Sequence, residues 1–312
     1  MMKWSTLIIS PLIIIFSKNW IFIWSLFEMN TFAFIMMMNK KKQSESMLLY
    51  FLVQSTASLM ILLSLNSSIS LSMMLKSPSE LTPTLILLSM ALKSGSAPFY
   101  MWMPPIVRKI SWENIFLLLS LQKLAPTFFI IINPKVILTE MLIFFSIVSG
   151  TMLQLTSINL KLLITFSSIS HLSWMMISGI LSFNLFLFYF SIYTILLFYI
   201  SKESSNMNII YILKTEINLS FSVNILSFSG MPPFLGFIPK WMIISSSVKI
   251  NPLKPFMLLL IFMSCLNIYI YTRILFLKSM NKQNSFKKSN KIVSFSTIMN
   301  FIAPILLFFS PQ

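Results

Sequence analysis

Residues 217–247 read INLSFSVNILSFSGMPPFLGFIPKWMIISSS. The run is apolar enough to enter a bilayer, but it is too long for one straight crossing, which takes about 20 residues. Gly230, Pro232, Pro233, Gly236 and Pro239 stand in its middle. Proline has no N–H to give and clashes with the turn before it, so one uninterrupted helix is excluded. Backbone groups freed at membrane depth survive only against protein or trapped water. Lys240 closes the interruption. Residues 91–100, ALKSGSAPFY, repeat the theme: Lys93 lies beside Gly95, Ser96 and Pro98. Two interrupted helices in corresponding parts of a chain point to an inverted-repeat transporter core with its site near the midplane.

The rest of the chain fits that reading. Apolar runs near 4–17, 19–38, 47–66, 82–103, 112–132, 136–156, 160–180, 183–201, 217–247, 255–277 and 293–310 predict an all-α polytopic membrane protein of about eleven transmembrane helices. Alternating strands of the kind that build barrels are absent from the sequence. The loops are short, so one transmembrane domain is expected over residues 1–312. With eleven spans, Lys3, Lys40, Lys41, Lys42, Arg108, Lys109, Lys161, Lys202, Lys214, Lys278, Lys282, Lys287, Lys288 and Lys291 share one side. Only Lys18, Lys76, Lys135, Lys249 and Lys254 fall on the other. The positive-inside rule then puts the N-terminus inside and the C-terminus outside. The basic stretch 278–291 could meet anionic headgroups or a partner. The opening MMKWSTLIISPLIIIF has no small-residue cleavage site and reads as the first span.

Composition excludes several function classes. Of 312 residues, 56% are hydrophobic and only 10% are charged, a balance foreign to soluble domains. The net charge of +16 would suggest nucleic acid in a soluble chain; here the basic residues sit in short loops and report orientation. Cys265 is the sole cysteine and His171 the sole histidine, so an internal disulfide, a haem or an iron–sulfur cluster cannot be assembled from this sequence. Redox chemistry would belong to a partner. P-loop, dinucleotide-binding and H-E-x-x-H patterns are absent.

Chemistry is carried by ionisable groups at membrane depth. A lysine at the centre of a span costs at least about 2.5–3.5 kcal/mol, so several of them mark a hydrated path or a switch. Lys93 is about ten residues from either end of its span, far for snorkelling. Lys123 sits in LQKLAP, where Pro126 loosens the helix and Gln122 offers a polar neighbour. Lys240 follows the second break; an interface anchor with Trp241 is the alternative. Glu28, in WSLFEMN, either protonates or finds a cation, and a Glu–Lys pair that forms and separates would be a proton switch. His171, among Ser167, Ser168, Ser170 and Ser173, could relay protons or simply pack; alone it cannot hold a metal.

Together the strings WSLFEMNTFAFI, YFLVQSTAS, ALKSGSAPFYMWMP, LQKLAP, FSSISHLSWM and GMPPFLGFIPKWMI resemble the subunit 2 family of mitochondrial NADH:ubiquinone oxidoreductase, respiratory complex I. They occur in the family's order and cover nearly the whole chain. The resemblance implies an antiporter-like subunit of the membrane arm, in the animal-type form that lacks the N-terminal helices of longer relatives. It implies proton translocation across the mitochondrial inner membrane, coupled to electron transfer from NADH to ubiquinone. NADH, FMN, the iron–sulfur clusters and ubiquinone would belong to partner subunits, with no cofactor in this chain. Implied partners are the adjacent antiporter-like and small membrane subunits, supernumerary subunits and phospholipids including cardiolipin. Glu28 matches the glutamate facing the neighbouring module. Lys93 and Lys240 match the lysines on the two broken helices, Lys123 the central-axis lysine, and His171 the histidine of the S-S-I-x-H string. Tyr100, Pro105 and Leu160 stand where the family usually has a histidine, an acid and an arginine. A stand-alone cation/proton antiporter and a structural scaffold of the membrane arm are the rival readings.

Overall fold

The computed structural model describes residues 2–38, 43–74, 81–132, 136–206, 219–247 and 254–280, with 297 and 300 from the final segment. Thirteen α-helices make up the described chain. They are α1 (Met2–Phe16), α2 (Trp20–Met37), α3 (Ser44–Met74), α4 (Leu81–Ser94), α5 (Met103–Lys109), α6 (Trp112–Leu119) and α7 (Leu121–Ile132). Then follow α8 (Val136–Thr156), α9 (Leu160–Leu181), α10 (Phe183–Asn206), α11 (Leu219–Ser229), α12 (Phe237–Ser247) and α13 (Lys254–Met280). Helices answer the bilayer's demand that each peptide group find its partner within its own segment.

Among the described residues, seven segments are long and apolar enough to cross a membrane, and Trp4–Phe16 and Leu219–Ser229 are shorter apolar helices. Ten of the eleven expected spans therefore coincide with helices or interrupted helix pairs. The eleventh, 293–310, lies outside the described residues apart from two positions, and so does most of the basic stretch 278–291. Lys40, Lys41, Lys42, Lys76, Lys135, Lys214 and Lys249 lie outside as well.

The chain forms two compact units, Met1–Ser146 and Ile147–Gln312. In the first, α1, α2, α3, α4 and α7 pack in a closed ring, each against the next and α7 back against α1. Polar side chains tie its centre. Asn30 of α2 and Gln122 of α7 exchange hydrogen bonds of 3.0 and 3.2 Å, and the Tyr50 hydroxyl of α3 donates to Gln122 at 3.2 Å. In the second unit α9 is the axial helix, nearly enclosed, with α10 and α12 packed on it. Its Ser167, Ser168, Ser170, Ser173 and Ser178 hydroxyls all donate to carbonyls three residues back on the same helix. Gly150 lets α8 approach: a Cβ there would lie 2.8 Å from the Ser170 nitrogen. Small residues at such crossings are how helices pack closely in lipid.

Candidate functional site

Both interruptions are built the same way. Helix α4 ends at Ser94 and is followed by Gly95 with φ 65°; α11 ends at Ser229 and is followed by Gly230 with φ 83°. The Gly95 N–H donates to the Leu92 carbonyl and that of Ser96 to Ala91, both at 3.2 Å. The Gly230 N–H donates to Ser227 at 3.0 Å and that of Met231 to Leu226 at 3.3 Å. This is the paired closure of a Schellman terminus, which needs a left-handed residue at the glycine position. Four residues past each glycine the chain turns again: Phe99 donates to Ser96 and Phe234 to Met231. The Ala97–Pro98 and Pro232–Pro233 peptides are both cis. The sequence reading put the interruptions at these two places. The likeness of their backbones emerges only from the hydrogen bonds.

The amines are set differently at the two joints. Lys93 precedes its glycine by two residues, a place held by Phe228 at the second joint. Lys240 follows its glycine by ten, a place held by Pro105 at the first. Lys93 is 3% exposed; its Nζ has no hydrogen-bond partner and lies 4.6 Å from the centroid of the Phe27 ring. A ring face attracts an ammonium electrostatically. Glu28, next to Phe27, acts on Lys93 through space, without an ion pair. Among the described residues the ion pair is Lys109 with Glu45, at the exposed ends of α5 and α3. Gln54 of α3 braces the end of α4 by donating to the Lys93 carbonyl at 3.4 Å.

Lys123 is 1% exposed, one of the largest fully enclosed side chains in the described chain. Its helix is indeed interrupted, though not at Pro126. Pro126 lies within α7, and the chain departs from helical geometry at Ser120 (φ −107°, ψ −84°), between α6 and α7. Proline collides with the turn before it, so the break falls upstream, placing Lys123 just after it rather than just before. Gln122 is engaged with Asn30 and Tyr50. It fastens the ring of helices together.

Lys240 reaches back across the second gap. Its ammonium donates to the carbonyl of Ser229, the last residue of α11, at 2.7 Å, and stands 5.9 Å from the Trp174 ring. The last carbonyls of a helix have no partner within it and carry the negative end of its dipole, so a cation is at home there. Gly230 keeps the space open; a Cβ would overlap the Lys240 side chain.

His171, on α9 three residues before Trp174, pairs its Nδ1 with the Tyr189 hydroxyl at 2.7 Å. Its ring packs on Phe228 and Tyr193, with centroids 4.7 and 5.3 Å away. The surrounding serine hydroxyls donate to their own helix, and Tyr189 and Tyr193 of α10 meet the imidazole. Sequence reasoning missed Tyr189, as it missed Asn30 and Tyr50; polar residues inside apolar runs were the available signal. Glu28, Lys93 and Lys123 thus lie in the first unit, and His171 and Lys240 in the second. Among the described residues no group of three His, Cys, Asp or Glu could hold a metal ion.

Comparison with known proteins supplies the family. Residues 17–267 match the family described as NADH:quinone oxidoreductase/Mrp antiporter, transmembrane. NADH-ubiquinone oxidoreductase chain 2 of Anopheles gambiae is 33% identical, over 95% of this chain and 92% of its own. That of Artemia franciscana is 34% identical, over 87% of each. Among solved structures, a chain of respiratory complex I from Thermus thermophilus superposes with a TM-score of 0.74 at 16% identity, covering 96% of this chain and 74% of its own. A chain of the Mrp complex from Dietzia sp. gives 0.65 at 15% identity, over 80% and 55%. These two likenesses speak for the fold: an all-α, antiporter-like membrane core with two discontinuous helices. On sequence and fold together, this chain belongs to the NADH:quinone oxidoreductase/Mrp antiporter transmembrane family.

Proposed function

We propose that this chain is a core membrane-arm subunit of respiratory complex I, translocating protons across the mitochondrial inner membrane while partner subunits pass electrons from NADH to ubiquinone. One observation carries the reading: three lysines, each under 5% exposed, stand beside interruptions of apolar helices. Such groups are too costly to retain without a use.

The proposed sequence of events has four steps. Glu28 responds to charge in the adjacent subunit. Its hold on Lys93, exerted past the Phe27 ring, strengthens or weakens. A proton then passes through water to or from Lys123. Lys240 exchanges with the other side or with the next subunit, making or releasing its bond to Ser229, and His171 of α9 with Tyr189 of α10 serves as a relay. The energies match. Moving one charge against 100 mV costs about 2.3 kcal/mol. A hydrogen bond to a charged group is worth about 1.5–3 kcal/mol.

The whole chain acts as one translocating domain in this proposal. Its N-terminus faces the matrix and its C-terminus the intermembrane space, as the lysine-rich loops favour. Neighbours are the other membrane-arm subunits, supernumerary subunits and phospholipids including cardiolipin; the redox cofactors sit elsewhere in the assembly.

Replacing Lys93 or Lys123 by Met in the assembled, reconstituted enzyme tests the reading. Loss of pumping with assembly intact is expected. Unchanged pumping would leave a structural scaffold. The likeness to the Mrp chain favours a second reading, a stand-alone cation/proton antiporter. Cation flux driven by a pH gradient through the isolated, reconstituted chain would establish that one.

A further inference from the structure

The second unit holds buried polar atoms that the lysine pathway does not use. Gln154 of α8 and Asn267 and Tyr271 of α13 are 0%, 4% and 3% exposed. Both amide atoms of Gln154, the Asn267 Oδ1 and the Tyr271 hydroxyl find no hydrogen-bond partner in the protein. Asn267 and Tyr271 reach one strip of α9, and Gln154 lies against Tyr271. The Asn267 amide donates to the Ser170 hydroxyl at 3.2 Å, and the Tyr271 hydroxyl faces Ser167 and Gln154. Each such atom left dry costs about 1–3 kcal/mol. A cluster of them on two helices, α8 and α13, is a site for water, which satisfies two to four polar groups at once. The strip adjoins the His171 cluster: Tyr271 packs edge-on against Phe228 at 6.5 Å, and Tyr193 packs on the same ring at 5.7 Å.

Beyond Tyr271 a narrow cavity continues between Leu163, Ile164, Ile200 and Ile225, with room for about one water molecule. Its lining includes Leu160 and Ile200, near the ends of α9 and α10 that carry Lys161 and Lys202. Glu203 stands there, half-buried, three residues past Ile200. Fully buried Asn224, beside Ile225, donates to Glu203 Oε2 at 3.0 Å and accepts from Asn300 at 3.0 Å. The Ser204 hydroxyl and the Asn300 Oδ1 are buried without a partner. A polar cluster, an apolar neck and a carboxylate thus lie on neighbouring parts of the second unit. Apolar constrictions gate by wetting and drying.

We propose that a proton route runs through the second unit from His171, by way of water held at Gln154, Asn267 and Tyr271, to Glu203. Glu203 exchanges protons with the aqueous phase on the lysine-rich side. As a carboxylate it takes a proton from hydronium, leaving water and a neutral acid; it then returns that proton to water on the other side of the neck. The route rests on the reading of the chain as a proton translocator.

The test measures protons moved per NADH oxidised by the complete reconstituted enzyme carrying Glu203→Gln, Glu203→Asp or Lys123→Met. Glu203→Gln keeps the acceptor for Asn224 but cannot carry a proton. It should lower the ratio at least twofold, and Glu203→Asp should restore it. A wild-type ratio in Glu203→Gln beside a loss in Lys123→Met overturns the route and leaves the translocator reading standing. A wild-type ratio in both removes the two together. If Glu203→Gln does not assemble, a high-resolution map of the unmodified complex decides. Ordered waters touching Gln154, Asn267 and Tyr271 support the route, and their absence there refutes it.

Discussion

Lys93 and Lys240 show two ways of housing a cation inside an apolar bundle. Lys93 has an aromatic face and the field of Glu28, without a hydrogen-bond partner. Lys240 has a helix-terminal carbonyl at 2.7 Å. The first arrangement is the easier to disturb, because nothing directional fixes the ammonium. Glu28→Gln should therefore impair pumping in the assembled enzyme, while Phe27→Leu, which keeps the carboxylate and removes the ring, should reduce it less; proton uptake by proteoliposomes measures both. At the second joint Gly230→Ala must place a side chain at φ 83° and against the lysine. The conformation alone costs about 1–2 kcal/mol. A lower thermal inactivation temperature of the complex is expected. The lysines were legible because charge inside apolar sequence is conspicuous. The pairing of Asn30 with Gln122 was not, since 92 residues separate them and nothing local marks the partnership.

At the scale of elements, glycine and proline told where α4 and α11 end, since a left-handed residue and a missing N–H are local facts. The interruption at Ser120 was harder to read. Proline disturbs the turn before it, and which residue there yields depends on packing against α2 and α3, where Gln122 is held. The serines around His171 were misleading for a related reason: a hydroxyl in a helix can reach a carbonyl three or four residues back, so composition does not say which way it points. The α8–α9 crossing gives a sharper expectation. A Cβ on Gly150 would meet backbone atoms of α9, which cannot swing aside as a side chain could. Gly150→Leu should cost about 1–3 kcal/mol or more through overpacking. Reduced assembly, read from the amount of intact complex in native gels, is the expected outcome, and Gly150→Ala should fall between it and the unmodified chain.

Over the whole molecule, apolar run lengths located ten spans, because bilayer thickness fixes the length of a crossing before any packing is known. The positive-inside rule carries the orientation. Single cysteines at Lys161 and Lys202, in a Cys265→Ser background, should react with a membrane-impermeant thiol reagent from the matrix face only, and one at Lys18 from the opposite face only. Labelling of all three from one face would show that the span count is wrong. The inward-bonded hydroxyls of α9 bear on how such a chain is made. Translation delivers helices to the lipid one at a time, so α9 emerges before α10, α11, α12 and α13 exist to shelter it. Because its hydroxyls are already quenched by its own backbone, the helix can collect its neighbours as each is threaded in, with His171 gaining its polar partner when α10 arrives.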